Sequence, residues 1–362
     1  MPKKKLQITP AWVFRTEQGE LFEPVIFRLL NGVHESGKLT VAANGAGISY
    51  RHAWNLLNRA ADFFGLPLVE MRKGQGTRLS ALGEKLLWSE QRVKARLGPQ
   101  LDSLASELNI QLQQLLAGEH PVLRLHASHG YAVALLPEFS DRVELDLQYT
   151  NPAHALDILA RGESDLASFH FPASPQRAER IMALYQDRLD LDNLRVIRFV
   201  TREQGLMVRA DGGRRFEGLA DLADPSVRFI NRDRHSGTRT LFNLMLEEQG
   251  VDPADIHDTD QEEFTHTAVA AYVAAGMADA GFGVEAAARQ FGLNFVNLAT
   301  EHYLLVCHRD RLENHNMRQL LALMRSPDFL AEIDRLPGYA PDRCGEICTF
   351  EELLASDRAD RD

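Results

Sequence analysis

From Val122 onward, short apolar runs rich in β-branched residues alternate with segments whose apolar residues recur at helical spacing. Strands that alternate with helices build parallel sheets, because two parallel strands must be joined by a crossover segment and a helix usually supplies it. This half of the chain therefore indicates an α/β domain. Its first strands are predicted at Val122 to His126, Leu145 to Tyr149 and Leu166 to Phe169, with a helix at His154 to Arg161.

A second set of strands and helices follows Val196 and predicts a second sheet. Strands are expected at Ala280 to Phe282 and Phe295 to Leu298, and Arg202 to Val208 is expected to cross between the sheets. Two sheets joined by crossing strands leave a cleft between two lobes. We therefore expect a two-lobed α/β domain over residues 121–355. One lobe comprises about residues 121–200 and 302–355, and the other about residues 205–300.

Polar residues directly follow the predicted strands of the first set. Ser128 and His129 follow the first strand, Asn151 follows the second, and His170 follows the third. In open sheets of this kind, ligands bind beyond the carboxyl ends of the strands, where helices begin. These four residues are therefore candidates for a ligand site in the cleft.

The stretch from Val227 to Gly250 contains a further candidate binding loop. An apolar run leads into a polar loop, Asn231 to Thr238, and then into an amphipathic helix. Where such a helix begins, unpaired backbone N–H groups and the positive end of the helix dipole suit a small anion. An ordinary capped helix would show the same pattern, so the loop alone leaves both interpretations open. The candidate ligand-binding residues are Ser236, Gly237, Thr238 and Arg239.

The N-terminal part of the chain predicts three helices, with a glycine-containing turn before the third. The first covers Phe22 to His34 and the second Leu39 to Asn44. Ser49 is a favourable N-cap for the third, which runs to about Phe64 with polar and basic residues on its outer face. This is the pattern of a helix-turn-helix whose second helix enters the major groove of DNA. The candidate DNA contacts are Ser49, Tyr50, Arg51, His52, Asn55 and Arg59.

A basic hairpin is predicted next, from Leu68 to Ser80. Arg72, Lys73 and Arg78 surround its glycine turn, where a wing would contact phosphates or the minor groove. A solvated hairpin is the alternative interpretation. The order of helix, turn, helix and hairpin favours the wing more strongly than a basic face alone would. Residues 1–116 contain 15 Lys and Arg against 10 Asp and Glu, whereas the remaining residues carry a net charge of -16, so the first part is the one expected to meet a polyanion.

Residues 80–117 predict a linker region with a stripe of apolar residues. From Val93 to Leu115 these recur at spacings of three and four, and Gly98-Pro99 is expected to divide or kink the helix. Packing against the chain's own domains and pairing with a second copy explain the stripe equally well.

The segment from Lys38 to Leu87 resembles the winged-helix domain of LysR-type regulators and of the bacterial molybdate-responsive regulator. The matching motifs are I-S-Y-x-x-A-W at Ile48 to Trp54, G-x-P-L-V-E at Gly65 to Glu70 and G-x-G-x-R-L at Gly74 to Leu79. The resemblance implies a winged helix-turn-helix DNA-binding domain within residues 1–95. It also favours pairing of the linker helices in a dimer.

Later motifs resemble a type II periplasmic-binding-protein-like substrate-binding domain, of the kind fused to winged helices in molybdate- and tungstate-related regulators. They include L-x-A-S-H-G at Leu125 to Gly130, F-I-N-R-x-x-x-S-G-T-R at Phe229 to Arg239, and the small-residue segment Thr265 to Gly283. The resemblance implies that hydroxyls and backbone N–H groups hold an anion, with His170 and Arg239 nearby. The groups implied are those of Ser128, Ser236, Gly237 and Thr238.

These features predict a ligand-responsive transcriptional regulator that binds double-stranded DNA as a homodimer or homotetramer. The resemblance implies molybdate or tungstate as effector, without a further cofactor. Formate or another small organic anion would suit the same groups, and a C-terminal domain that binds a protein partner is the other alternative. An enzyme is not expected, because the sequence contains no G-x-S-x-G, Walker or dinucleotide motif.

The cysteines and the hydropathy pattern predict the compartment. Cys307, Cys344 and Cys348 are an odd number that fits a reducing environment, and no neighbouring ligands complete a metal set. No apolar run reaches the roughly 18 residues that span a bilayer, and the basic start is not followed by an apolar signal segment. We therefore expect a cytoplasmic protein that does not enter a membrane.

Overall fold

The computed structural model describes residues 6–15, 19, 21–22, 24–72, 76–117, 121–139, 143–210 and 215–359. The chain divides into two compact units. One unit comprises Thr9–Leu97, and the other comprises Gly98–Asp362 together with Met1–Ile8. Leu6 is tied to the second unit, because its backbone N–H and C=O both hydrogen-bond to the side chain of Asn109, at 2.7 and 2.8 Å.

The first unit contains the three helices and the hairpin that the sequence predicts. Ser49 caps the third helix by accepting from the His52 N–H at 3.2 Å, as expected from its N-cap chemistry. Gly37 ends the first helix at φ 64°, a left-handed conformation that favours glycine. In chain order the elements are β1 (Phe14–Arg15), β2 (Leu21–Phe22), α1 (Val25–Ser36), α2 (Leu39–Gly45), α3 (Tyr50–Phe64), β3 (Val69–Arg72) and β4 (Gly76–Leu79).

A single helix, α4 (Ala81–Ala117), follows the hairpin and contains Pro99. Of the two alternatives expected at Gly98-Pro99, the division into two helices is therefore wrong, and the kink stays a prediction. A proline inside a helix removes one backbone hydrogen bond, and the turns on either side can still hold a helix of this length. The boundary between the two units nevertheless falls between Leu97 and Gly98, inside this helix. Within the described ranges, no helix combines the length and apolar character needed to cross a membrane.

The second unit is built on one ten-stranded sheet rather than on two separate sheets. Two strands of 15 residues each, β8 and β12, pair antiparallel from end to end and belong to both lobes, so the sheet is continuous. The strands are β5 (Val122–Ala127), β6 (Glu144–Tyr149), β7 (Leu166–Pro172), β8 (Leu194–Val208), β9 (Phe229–Arg232), β10 (Asp258–Glu263), β11 (Ala280–Val284), β12 (Asn294–His308), β13 (Tyr339–Pro341) and β14 (Ile347–Cys348).

The sheet order shows the two lobes. It runs β10-β9-β11-β8-β12-β7-β5-β6, with β13 and β14 also paired to β8. Parallel pairs lie on both sides of the central antiparallel strands, β5 with β6 and β7 on one side and β9 with β10 and β11 on the other. The predicted two-lobed α/β architecture is thus present, with β8 and β12 in place of the short crossover expected at Arg202 to Val208.

Helices cover both faces of the sheet and enclose its apolar cores. They are α5 (Tyr131–Phe139), α6 (Pro152–Ala160), α7 (Pro175–Leu184), α8 (Gly237–Gln249), α9 (His266–Ala274), α10 (Glu285–Gln290), α11 (His315–Met324), α12 (Pro327–Asp334) and α13 (Phe350–Ala359). Strand β7 is buried along its whole length, as expected for a strand with helices on both sides. It also extends past Phe169, so His170 lies inside the strand and not in the loop after it.

Candidate ligand-binding site

A small cleft lies where the carboxyl ends of β5, β6 and β9 meet the starts of α6, α8 and α9. The space at its centre has a volume of about 10 Å³, which is roughly the room that one water molecule occupies. Both lobes contribute to its wall. The lining residues are Ser128, His129, Thr150, Asn151, Pro152, His170, Arg202, Arg232, Ser236, Gly237, Thr238, Phe264 and His266. Seven of the eight residues predicted from the sequence are among them.

The start of α8 supplies the donors that the sequence predicts. Ser236 is the N-cap and accepts from the Arg239 N–H at 3.2 Å. The N–H groups of Gly237 and Thr238 follow in the first turn, where a helix offers them no internal acceptor. Glycine is required here by packing, because a Cβ on Gly237 would lie 2.3 Å from Cε1 of His170. The helix start and β7 therefore approach each other closely at the cleft.

Two further predicted residues lie at the ends of strands. Asn151 caps α6 by accepting from the His154 N–H at 2.9 Å, so its side-chain oxygen already has a partner. The N–H of Ser128 donates to Ser168 Oγ at 2.8 Å, whereas the Ser128 hydroxyl is buried and has no hydrogen-bond partner within the described part of the chain. A ligand in the cleft would give this hydroxyl its missing partner.

Arg239 does not line the cleft, and its predicted role needs correction. Its Nε donates to Asn243 Oδ1 at 3.1 Å, and its Nη1 donates to the carbonyl of Arg232 at 3.4 Å. An arginine three residues after the N-cap finds its partner one turn further along the helix surface, so its side chain extends along the helix. The cationic side chains of the cleft come from strands instead.

Arg232, the last residue of β9, is the cation that the sequence-based prediction missed. The residue is 6% exposed, and its Nη2 donates to the carbonyl of Phe264 at 2.6 Å. Its Nε and Nη1 are buried without a hydrogen-bond partner among the described residues. Burial, and next the charge of Arg202, lower the pKa of Arg232 to about 9. The cleft therefore holds a buried guanidinium that is short of hydrogen-bond acceptors.

The second buried guanidinium, Arg202, is neutralised by Glu301. Glu301 accepts from Arg202 Nε, from Gln204 Nε2 and from His170 Nδ1, each at 2.7 Å. Burial alone would raise the pKa of Glu301, but Arg202 and His170 lower it well below its ordinary value. Arg202 also lies over the Tyr303 ring, 4.8 Å from its centroid. The carboxylate is thus charged, and it holds two cleft residues, Arg202 and His170, together with Gln204.

Two histidines complete the wall of the cleft. His129 and His266 are buried, and the Nδ1 atom of each has no hydrogen-bond partner among the residues that the structure describes. Burial, and then the charges of Arg232 and Arg202, lower the pKa of His129 to about 4 and that of His266 well below its ordinary value. Both imidazoles are therefore neutral at pH 7.

The chemistry of the cleft suits an anion. Its described lining contains no Asp or Glu side chain, while Arg232 and Ser128 have unused hydrogen-bond donors. Unpaired buried donors cost free energy that an acceptor recovers. An anion would satisfy the donors and the charge together.

The predicted DNA contacts lie on the surface of the first unit. The exposed face of α3 carries Tyr50, Arg51, His52, Asn55 and Arg59, directly after the N-cap Ser49. Arg78 is exposed on β4, and Arg72 ends β3. Lys73 lies outside the described residues. The helix and hairpin residues that the sequence selects are thus surface residues wherever the structure describes their side chains.

Comparison with known proteins identifies the second unit. A family model described as a PBP superfamily domain matches residues 135–325, which is more than half of the chain. Among curated proteins, the uncharacterized protein YvgK of Bacillus subtilis is 28% identical over 201 residues, which are 55% of this chain and 64% of the relative. An uncharacterized protein from the 5' region of a ferredoxin gene of Clostridium pasteurianum is 34% identical over 101 residues, which are 28% of this chain and 89% of the relative.

A third relative has a name that refers to a ligand. The molybdenum-pterin-binding protein MopB of Rhodobacter capsulatus is 27% identical over 119 residues, which are 32% of this chain and 43% of that protein. The match to YvgK spans slightly less than two thirds of that protein. Among solved structures, HypT of Salmonella typhimurium, described as a hypochlorite-specific LysR-type transcriptional regulator, is 16% identical with a TM-score of 0.43 and covers 83% of this chain and 96% of its own.

Proposed function

The chain belongs to the PBP superfamily, and we propose that it is a LysR-like, ligand-responsive transcriptional regulator whose cleft senses a small oxyanion. The proposal rests on the composition of the cleft lining. It presents the buried and under-used guanidinium of Arg232, the free hydroxyl of Ser128 and the N-terminus of α8, with no carboxylate in its described lining. The proposed ligand-binding residues are those of the cleft, with Arg232 in place of Arg239.

The size of the cleft favours a small inorganic oxyanion. With about 10 Å³ free at its centre, it admits an ion of a few atoms only after a small opening, and a larger organic acid would require the lobes to separate. Molybdate and tungstate are the effectors we propose first, and the similarity to a protein named for molybdenum-pterin binding is in keeping with them. Formate is the alternative of similar size.

The proposed partner of the first unit is double-stranded DNA. The basic and polar residues of α3 lie on its exposed face, and the first 116 residues are net basic while the rest of the chain is strongly acidic. A basic surface on an otherwise acidic protein attracts the phosphate backbone electrostatically. We propose that α3 reads the major groove and that the β3–β4 hairpin contacts the backbone.

Helix α4 carries the surface that we propose for dimerisation. Leu97, Leu104, Leu108 and Leu115 are all exposed, and their spacings of seven, four and seven residues place them on one face of the helix. An exposed leucine stripe of this kind buries its apolar surface when it pairs with a second copy. The regulator would thus act as a homodimer, or as a homotetramer of paired dimers.

Contacts between α4 and β6 offer a route from the ligand to the dimer. Ser103 Oγ accepts from the Tyr149 N–H at 3.0 Å, and Ser106 Oγ accepts from the Leu147 N–H at 3.1 Å. The Tyr149 ring in turn lies 5.0 Å from the ring of His129 in the cleft, measured between centroids. A ligand that shifts His129 would therefore move the sheet edge to which the linker helix is hydrogen-bonded.

Thermal unfolding of the full chain against a panel of anions tests the proposed effector. Molybdate, tungstate, sulfate, phosphate and formate are each added in excess. An anion at about 100 times its dissociation constant should stabilise the protein by about 2.7 kcal/mol, which shifts the unfolding temperature by several degrees. A shift with molybdate or tungstate alone supports the proposal, and a shift with formate alone replaces the effector. No shift with any anion would favour the protein-partner alternative.

Arg51→Ala should weaken binding to a random-sequence DNA duplex and lower the slope of log affinity against log salt by about one. Arg51 is exposed in the first turn of α3, where a phosphate contact releases about one counterion. The measurement is fluorescence anisotropy with labelled duplex at several salt concentrations. Arg180→Ala, which removes an exposed arginine from the second unit, should leave both the affinity and the slope unchanged. Equal binding by wild type and Arg51→Ala would refute the assignment of α3.

A further inference from the structure

Two imidazoles in the wall of the cleft have a ring nitrogen that no protein group uses. The Nδ1 atoms of His129 and His266 are buried and make no hydrogen bond to any residue that the structure describes. His129 follows β5, and His266 is the first residue of α9, so they come from different lobes. Both line the cleft together with Arg202 and Arg232. A buried polar atom without a partner indicates that a proton or a ligand would add a favourable interaction there.

The surroundings of His129 suit a positive charge better than those of His266 do. The Nδ1 atom of His266 faces β11, because a Cβ built on Gly283 would lie 3.1 Å from it and 2.7 Å from Cε of Met207. The His129 ring lies beside Tyr149, with 5.0 Å between the ring centroids. A cation within about 6 Å of the centroid of a tyrosine ring is attracted by the ring. Of the two imidazoles, His129 is therefore the better candidate for protonation.

The charges nearest His129 are positive, and they keep its imidazole neutral at pH 7. Burial, and then the charges of Arg232 and Arg202, lower its pKa to about 4. An anion beside the ring would offset both of these charges and thereby favour the protonated form. The titratable groups around His129 are Tyr149 on β6, His170 on β7, Arg202 on β8, Arg232 on β9, His266 on α9, and Glu301 and Tyr303 on β12.

The charge of the cleft is matched to a monoanion and not to a dianion. Glu301 neutralises Arg202, which leaves Arg232 as the guanidinium available to an anion. Asp233 and Glu263 also act on the charge of Arg232, but neither of them lines the cleft. A dianion would bring one negative charge more than Arg232 balances, and an unbalanced buried charge costs free energy. A neutral imidazole in the wall can supply the missing positive charge by taking up a proton.

We propose that the cleft binds a doubly charged oxyanion together with one proton, which His129 takes from the solvent. This inference rests on the proposed anion sensor and adds the charge class of its ligand. An imidazolium donates from both ring nitrogens, so it offers the anion a charge-assisted hydrogen bond. Its charge would also attract it to the ring of Tyr149, whose N–H donates to Ser103 of α4. Affinity for a dianion therefore rises as the pH falls, whereas affinity for a monoanion does not depend on this proton.

The experiment is calorimetric titration of the full chain with molybdate, a dianion at pH 7, in PIPES and in Tris. These buffers differ in ionisation enthalpy, so the difference between the two binding enthalpies gives the number of protons taken up. We expect about one proton per molybdate. Uptake of one proton corresponds to an affinity that falls about tenfold for each unit of rising pH. Molybdate binding with the same enthalpy in both buffers would overturn the proposal, and so would binding of formate alone.

Two matched variants assign the proton to His129. His129→Gln keeps a polar side chain that cannot be protonated at this pH, so it should bind molybdate without proton uptake and without the dependence on pH. His266→Gln changes the other imidazole of the wall and should still take up about one proton. Proton uptake that persisted in His129→Gln would refute the assignment. If His129→Gln bound no molybdate, nitrogen NMR of the histidine-labelled His266→Gln protein would decide, because molybdate must convert one neutral imidazole into an imidazolium.

Failure of this inference can be distinguished from failure of the proposed sensor. If no anion binds to the full chain, the sensor is refuted and the proton with it. If molybdate binds without proton uptake, the sensor is retained and only the role of His129 is refuted. The count of protons is measured on the wild type, so this distinction does not depend on how well a variant folds.

Discussion

Replacing Arg232 with methionine is expected to weaken anion binding at least 100-fold while leaving the unliganded protein as stable as the wild type, or more stable. The guanidinium is buried, and two of its nitrogens have no hydrogen-bond partner among the described residues. Truncating one partner of a buried charge pair typically costs 2–5 kcal/mol of binding free energy, and about 2.7 kcal/mol is a factor of 100. Molybdate, or the anion that the unfolding panel selects, is titrated by calorimetry.

The expected stability of the Arg232→Met variant follows from the free-energy cost of burying the guanidinium charge. The pKa of Arg232 is lowered to about 9, which means that the folded protein disfavours the charged form. Methionine keeps the apolar volume of the stem and removes that cost, while the lost hydrogen bond to the Phe264 carbonyl contributes about 1 kcal/mol. We therefore expect the urea midpoint of the variant, measured without anion, to equal or exceed that of the wild type.

Arg239→Met is the matched control, and it separates the sequence-based site from the structural one. Both residues are arginines near the start of α8, but only Arg232 lines the cleft. The control should change anion affinity by no more than about twofold, because Arg239 donates along the helix surface to Asn243. Equal losses in both variants would mean that the charge of the region, rather than the geometry of Arg232, holds the anion. Normal affinity in Arg232→Met would remove this residue from the site.

The parts of the cleft that consist of consecutive residues could be predicted from the sequence. Ser236, Gly237 and Thr238 form a capped helix start, and Asn151 precedes a proline at the first position of α6. Such motifs depend on hydrogen bonds between residues two or three positions apart, so spacing alone identifies them. The helices of the first unit were predictable for the same reason.

The charged network could not be predicted, because it depends on strand register. Arg202 and Glu301 are directly opposite each other in the β8–β12 pair, although 99 positions separate them in the chain. A shift of the register by one residue would turn one of the two side chains to the other face of the sheet. Arg232 was missed for a related reason. The apolar residues of this strand end at Ile230, so the sequence predicts a loop from Asn231, whereas β9 continues to Arg232.

Glu301→Gln is expected to destabilise the second unit by about 3–5 kcal/mol, although this carboxylate does not line the anion cleft. Glu301 is 1% exposed and accepts hydrogen bonds from Arg202, Gln204 and His170. Removing the charge of Glu301 leaves the Arg202 guanidinium buried without its counterion. Loss of one partner of a buried ion pair costs about 3–5 kcal/mol of unfolding free energy. The free energy of unfolding in urea at pH 7 measures it. Glu203→Gln, which changes a half-buried neighbour that accepts from Thr300, should cost less than about 1 kcal/mol.

The pH dependence provides a second and independent check on Glu301. Arg202 and His170 hold the pKa of its carboxyl well below the ordinary value of 4.5, so the folded state binds its proton less readily than the unfolded state does. The stabilisation is therefore fully present above pH 4.5 and is lost as the pH falls below it. The gap in unfolding free energy between wild type and Glu301→Gln should be constant from pH 7 to about pH 5 and should narrow on further acidification. A gap that stayed the same down to pH 3 would show that the variant is destabilised by packing and not by the lost charge.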